Sequence, residues 1–239
     1  MKKLILFVIL LWGSLALAAP RSDIDGYIQK APKIKDHSDL QRVVDYITKG
    51  YKKDEDIARA ALLWIVYNID YDDYYYRQMS KDSKSRRDSS NKVPEQEDII
   101  KARLGVCKDI AALYSEMLGM ADIKSRVISG CHAPKNDKKA CQSNPHAWNA
   151  VWIDHQWELV DPTFAMGQDR AMQDVTNQRR YEREVKKRER RASDTYNPRK
   201  ERHANMSWFM VNPNKMAEDH QPDDSKWYLT KKTDRKKQD

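Results

Sequence analysis

Apolar positions recur every three or four residues through the first half of the chain, and every second residue in stretches of the second half. The first spacing is that of a helix face, the second that of a half-buried strand. Ser38 can cap a helix running to about Lys49, with Gly50 as its stop. Asp54 can cap another over EDIARAALLWIVYNI, where Ile57, Ala61, Trp64, Ile65 and Asn68 share one side. Pro94 to Arg103 reads as a short helix leading to Gly105. In RLGVCKDIAALYSEMLGM, residues 103–120, the run Ile110, Leu113, Tyr114, Met117 and Leu118 predicts an amphipathic helix. Cys107 falls at or near its first turn.

The strands come later. IKSRVISG (123–130) predicts a strand ending at Gly130, and HAWNAVWI (146–153) with QWELVDPT (156–163) predicts a hairpin joined by Asp154-His155. SWFMV and KWYLT look like late strands, and residues 169–191 predict a highly charged helix. Residues 80–93 lack periodicity and bulky apolar residues until Val93, so they predict a mobile surface loop. Helices first and strands after Cys107 argue for an α+β fold with an antiparallel sheet.

The hairpin fixes a register. A two-residue loop pairs Ile153 with Gln156. Trp152 then faces Trp157, Ala150 faces Leu159, Trp148 faces Asp161 and His146 faces Thr163, all eight on one side of the sheet. His146 and Asp161 become diagonal neighbours with Cβ atoms about 7 Å apart, within reach of an imidazole and a carboxylate.

Composition narrows the class. Lys2 and Lys3, the apolar Leu4–Trp12 and Ala16-Leu17-Ala18 form a secretory signal peptide over residues 1–18, cleaved after Ala18. That predicts a periplasmic or secreted protein, and the apolar run is short for a bilayer span, so no transmembrane segment is expected after cleavage. Residues 19–230 are long enough for one domain, and 231–239 form a basic tail. The formal charge is +8, or +6 without Lys2 and Lys3, and the excess is uneven. Between Asp169 and Arg202 there are 12 Lys or Arg against 7 Asp or Glu. Such a helical insertion, 169–202, could face an anionic envelope polymer or simply be a solvated face. Export argues against nucleic acid.

Cys107 could be a packed core thiol or a nucleophile favoured by the helix N-terminus. The motifs GVCKDIAALYSEML, HAWNAVWI and WELVDPT resemble the three blocks of the transglutaminase-like superfamily, in that order. ARAALLWIVYNIDYD (58–72) resembles the helix-plus-Tyr segment that precedes the cysteine block. SWFMVNPNKMAEDHQPDDSKWYL (207–229) is similar to the C-terminal block of the kyphoscoliosis-peptidase branch, with its His-x-Pro turn. The resemblance implies a papain-like transglutaminase-core fold, with N-terminal helices and the nucleophile on a helix N-terminus packed on an antiparallel sheet. It implies a catalytic triad of Cys107 as nucleophile, His146 as base and Asp161 as orienting carboxylate, with no cofactor and no metal. The implied function is exported acyl transfer through a thioester on a protein or peptide substrate. The alternative is a non-catalytic scaffold domain that docks protein or envelope partners. The Cys107 N–H is a candidate oxyanion donor, with Trp64 or Tyr71 as candidates for a second. Protein-crosslinking members carry Gln before the cysteine and Trp after it, whereas Val106 and Lys108 stand here. Water and amine acceptors therefore both stay open.

If Cys107 is the free nucleophile, the remaining pair is Cys131 with Cys141, closing a polar segment beside the hairpin. A zinc site drawn from Cys107, Cys131, His132, Cys141 and His146 lacks the usual paired spacing. His37, His155 and His203 read as surface or loop residues, and His220 as a structural turn residue.

Overall fold

The computed structural model describes residues 24–28, 30–32, 34–81, 96–167, 174–192, 203–231 and 236. The expected signal segment, most of the 80–93 loop, the ends of the 169–202 insertion and most of the tail lie outside the described residues. Among the described residues, no helix is long and apolar enough to cross a membrane.

The N-terminal half is helical. A short helix α1 (Ile24–Ile28) precedes α2 (Leu40–Thr48), whose Leu40, Val43, Val44 and Ile47 are buried at helical spacing. The turn before α2 is opened by Asp36 rather than Ser38, since the Asp36 carboxylate accepts the Ser38 N–H at 3.0 Å. Gly50 ends the segment with φ +91°, a conformation that costs other residues energy. Helix α3 (Asp54–Asn68) starts one residue earlier than a cap at Asp54 would allow, with Asp54, Glu55 and Asp56 in the first turn. Acidic side chains there suit the positive end of the helix dipole. Expected to bury one side, α3 is instead buried at Ala58 and at every residue from Ala60 to Asn68. It is the central helix, packed against α1, α2 and α6 (Cys107–Met120).

Between α3 and α6 run β1 (Asp70–Tyr71), α4 (Asp73–Lys81), α5 (Gln96–Ala102) and β2 (Leu104–Gly105). Residues 80 and 81, assigned to the loop, belong to the end of α4. β1 and β2 pair in parallel, Asp70 with Leu104 and Tyr71 with Gly105.

The second half is a four-stranded antiparallel sheet in the order β5-β4-β3-β6. It is formed by β3 (Ser125–His132), β4 (Pro145–Ile153), β5 (Gln156–Val160) and β6 (His220–Pro222). β3 runs two residues past Gly130. A short helix α7 (Lys138–Ser143) stands between β3 and β4. The β4–β5 register is the one the loop length dictates, from Ile153–Gln156 through Trp152–Trp157 to Ala150–Leu159. Asp154 and His155 take φ +48° and +63°, the positive pair that a tight hairpin turn needs. Alternation then sorts the side chains. Val151, Ile153 and Val160 join the helical core; Trp148, Ala150, Trp157 and Leu159 build a second core with Ile128 and Val211. Asn149 clamps β4 to α6, its amide donating to Ala111 O and Ser115 Oγ, each at 2.9 Å.

Neither late aromatic run is a strand. Met206–Trp208 and Ser225–Tyr228 are 3-10 turns, and only Val211 bridges the sheet, at Leu159. Asn205 accepts the Ser207 N–H and Asp224 accepts the Lys226 N–H, so side-chain caps turn the chain before a strand can form. The last strand is β6, at the position read as a turn. Gly130 makes room for it. A Cβ there would strike the Gln221 carbonyl and lie 2.7 Å from the Trp148 ring and 2.8 Å from Pro222 Cα.

After β5 come α8 (Pro162–Ala165), the charged helix α9 (Gln178–Ala192) and α10 (Pro213–Met216). Of the helix expected over 169–191, residues 169–173 lie outside the described residues, 174–177 are not helical, and α9 starts at Gln178; it is not simply a solvated face. Tyr181 donates to Asp72 at 2.7 Å, Arg188 pairs with Asp70 at 2.7 Å, and the Tyr181 ring stacks on Tyr74 with 4.7 Å between centroids.

Candidate active site

Cys107 is the first residue of α6, and its position is fixed from three sides. The β1–β2 pairing anchors the chain just ahead of it. Val106 takes an extended conformation, φ −96° and ψ 175°, and its N–H donates to the Asp109 carboxylate at 3.1 Å. Gly105 packs so closely on Asp109 that a Cβ would come within 3.3 Å of that side chain. The thiol is buried and is the free cysteine, because Cys131 and Cys141 form a disulfide.

His146 lies near the start of β4. The β4–β5 ladder ends at Asn149–Val160, so the expected pairs Trp148–Asp161 and His146–Thr163 do not form. Asp161 instead leaves the strand and caps α8. Its Oδ1 accepts the Phe164 N–H at 2.9 Å. Its Oδ2 accepts from His146 Nε2 at 2.6 Å. Asp161 is fully buried and His146 nearly so. The Cys107 thiol is near enough to the same imidazole to favour its protonated form. With Nε2 engaged by Asp161, Nδ1 is the ring nitrogen left for the sulfur.

The electrostatics follow from burial and pairing. Burial pushes the His146 ring towards its neutral form, but the charge and hydrogen bond of Asp161, then Cys107, outweigh it and raise the ring to about 10. Burial would likewise raise Asp161, yet His146 and then His220 hold its carboxyl far below the usual range.

His220 is the residue the sequence did not assign to this site. It lies on β6, buried, with Nε2 3.1 Å from Asp161 Oδ2 and Nδ1 2.6 Å from Asp219 Oδ1. One carboxylate oxygen therefore serves two imidazoles from different strands. The His-x-Pro block drew attention to His220, but nothing local says that it reaches back 59 residues.

A cleft of about 560 Å3 opens over this centre, lined by Tyr71, Tyr76, His146, Phe164 and Trp208 among others. Trp64, one candidate oxyanion donor, is fully buried in the helical core beneath Arg103 and cannot meet a substrate. Tyr71 reaches the cleft wall.

Comparison with known proteins matches the chain to a family. The transglutaminase-like superfamily model matches residues 41–162, about half of the chain, from α2 to the residue after Asp161. The chain belongs to the transglutaminase-like superfamily. It is 22% identical to the kyphoscoliosis peptidases of Mus musculus and Homo sapiens over 204 residues, 84% of this chain and 26% of each relative. The chain thus spans about a quarter of the length of the curated relatives it matches. The periplasmic domain of TgpA from Pseudomonas aeruginosa aligns with TM-score 0.40 and 17% identity, over 64% of this chain and 52% of that one.

Within this transglutaminase-like domain the donor atoms of His146, Asp161 and His220 lie within 4.8 Å of one another. Two ligands of a tetrahedral zinc with bonds near 2 Å stand about 3.3 Å apart. The 2.6 Å separation of His146 and Asp161 is instead that of a charge-assisted hydrogen bond. The other donor set, with Cys131 and Cys141, is dissolved by their disulfide. His132, from that same set, faces Asp219 at 3.4 Å on the rim. His37 pairs with Glu116 at 2.7 Å, and His203 is exposed.

Proposed function

We propose that this domain is an exported thiol-dependent acyl-transfer enzyme acting on protein or peptide substrates. The observation that carries it is the buried 2.6 Å His146–Asp161 contact, with the free Cys107 thiol at the start of α6 favouring the protonated form of the same ring. Cys107 Sγ attacks an amide carbonyl. The oxyanion meets the Cys107 N–H at the open end of α6, and Tyr71 is the candidate for a second donor from the cleft wall. His146 gives its proton to the leaving amine, and a thioester forms. Water or an amine then attacks the thioester, and His146 takes up the incoming proton. Asp161 holds the ring orientation and balances its charge throughout. The same thioester serves both acceptors, so the reaction class is hydrolysis or amine transfer. Export is supported by the N-terminal pattern and by a disulfide, which persists in oxidising compartments.

Labelling with iodoacetamide at pH 6 tests the reading. An ordinary thiol is only about 0.3% ionised there, so rapid modification of Cys107 alone is the expected result. A rate no faster than that of a free cysteine would favour the non-catalytic docking domain.

A further inference from the structure

We infer that His220 is a positioning residue of this site, a second imidazole clamped between Asp161 and Asp219 that shares the Asp161 carboxylate with His146 and sets how firmly His146 holds its proton. The consequence for turnover rests on the acyl-transfer reading; the arrangement of charges does not.

Donors and acceptors fix the charge on His220. An ionised carboxylate only accepts hydrogen bonds. His220 presents Nε2 to Asp161 at 3.1 Å and Nδ1 to Asp219 at 2.6 Å. Both nitrogens must donate, and a ring protonated at both is an imidazolium. The network thus assigns His220 a positive charge inside a buried site.

That charge acts on His146 in two ways. The ring centroids of His146 and His220 are 5.3 Å apart, so two imidazolium charges oppose each other. They also draw on the same acceptor atom, Asp161 Oδ2, whose partner oxygen is committed to the Phe164 N–H. Each ring therefore has less of the carboxylate than it would alone. A general acid held too tightly protonated releases its proton poorly, and transfer is best when the group titrates near the working pH. His220 loosens a proton that Asp161 alone would lock in place.

The other neighbours of His220 add no stronger charge. His132 on β3 has its ring 5.3 Å away and its Nε2 3.4 Å from the second Asp219 oxygen. Trp148, Phe164 and Trp208 are uncharged and enclose the His220 ring at 5.1, 5.3 and 5.5 Å. Lys215 stands over the Trp208 ring at 5.9 Å. Burial would neutralise His220, yet hydrogen bonds to Asp161 and then Asp219 raise its proton affinity above that of a free histidine.

The test is a pH titration of the His146 ring nitrogens by NMR in 15N-histidine-labelled protein, from pH 6 to 11. His220→Gln removes the charge and leaves one amide donor for Asp161. Its His146 midpoint should rise by half a unit or more. Asp219→Asn leaves His220 with one carboxylate, lets it deprotonate earlier, and should raise the same midpoint by less. A folded variant whose midpoint stays at or below the wild-type value overturns the inference. Should His220→Gln fail to fold, Asp219→Asn decides alone by the same criterion. Slow alkylation of wild-type Cys107 would sink the acyl-transfer reading without moving these midpoints, so the two failures are distinguishable.

Discussion

Asp161 bonds His146 at 2.6 Å although the ladder between their strands has already ended at Asn149–Val160. The hairpin brings the two within reach, and the cap of α8 aims the carboxylate. One oxygen holds the helix start and the other holds the ring. Capping and orientation are thus one structural event, and a change at Asp161 is felt in both.

The first prediction follows from that unit. His146→Ala should slow iodoacetamide labelling of Cys107 at pH 6 by about one to two orders of magnitude, because the imidazolium counterion is gone. Asp161→Asn should slow it less, since the amide still caps α8. The double variant should be no slower than His146→Ala alone, because residues acting as a unit do not add. Additive losses would show that Asp161 acts elsewhere.

A second prediction concerns pH. Asp161 is depressed in the folded state, so its contribution is complete above the ordinary carboxylate range and lost as pH falls through its folded value. His146 is raised to about 10, so its contribution is complete below about 6.5 and lost as pH rises towards 10. Both are fully present only between roughly pH 4 and 6.5. The melting temperature of the wild type should fall between pH 6.5 and 10 more steeply than that of Asp161→Asn. Parallel curves would mean that the pair is not linked to folding.

How much of this was legible in the sequence depended on distance along the chain. The hairpin register was readable because a two-residue loop fixes every pair beyond it. It brought His146 and Asp161 within reach, but the ladder stops at Asn149–Val160 and the contact is completed by the α8 cap, which the register does not foretell. Cys107 at the start of α6 was readable from apolar spacing. His220 was not, because its role depends on a glycine at 130 that lets β6 approach β3. The two late aromatic runs alternate like strands, but the caps at Asn205 and Asp224, written as Asn-x-Ser and Asp-x-Lys, turn the chain instead. The charged helix misled in another way. Its composition says solvent, but Tyr181, Val185 and Arg188 form a docking face among charges that point outwards.

That face gives a third prediction. Asp70 is buried where Arg188 meets it, whereas Arg183 on the same helix is exposed. Removing one partner of a buried pair is costly because the remaining charge stays desolvated. Arg188→Ala should destabilise the domain by about 3 kcal/mol, the low end for breaking a buried pair because Arg188 is partly exposed, and Arg183→Ala should stay within about 0.5 kcal/mol of wild type. Urea unfolding of the two variants makes the comparison. Equal, small effects would mean that α9 does not stay docked in solution.

The disulfide supplies a fourth. Cys131 and Cys141 close a loop with a sequence separation of 10. Restricting the unfolded chain over that length contributes about 2–3 kcal/mol. The segment has other anchors as well. Ala133 N–H donates to Asp219 O at 2.7 Å, Lys135 N–H to Glu218 O at 3.0 Å, and Gln221 Nε2 to Pro134 O at 2.8 Å. A Cys131→Ser, Cys141→Ser variant should therefore melt at a lower temperature and still fold. Complete unfolding of that variant at 25 °C would show that the backbone anchors count for little.

The last prediction returns to Gly130, where fold and site meet. Its missing side chain lets β6 pair with β3 at Gly130–Pro222 and Cys131–Gln221, which sets His220 opposite His132. An added methyl group would meet the Gln221 carbonyl, the Trp148 ring and the Pro222 backbone at once. Two of those three are main chain and cannot swing aside. Gly130→Ala should therefore cost about 1–3 kcal/mol, the usual range for overpacking. The strain can be relieved only by moving β6 outwards, and β6 carries His220. The variant should consequently loosen the His220–Asp161 contact of 3.1 Å before it disturbs the His146–Asp161 contact of 2.6 Å, which rests on the β4–β5 hairpin and the α8 cap. The His220 ring signals should shift in an NMR spectrum of labelled protein, while rapid alkylation of Cys107 persists. Loss of alkylation with unmoved His220 signals would show that Gly130 serves the thiol side of the site instead.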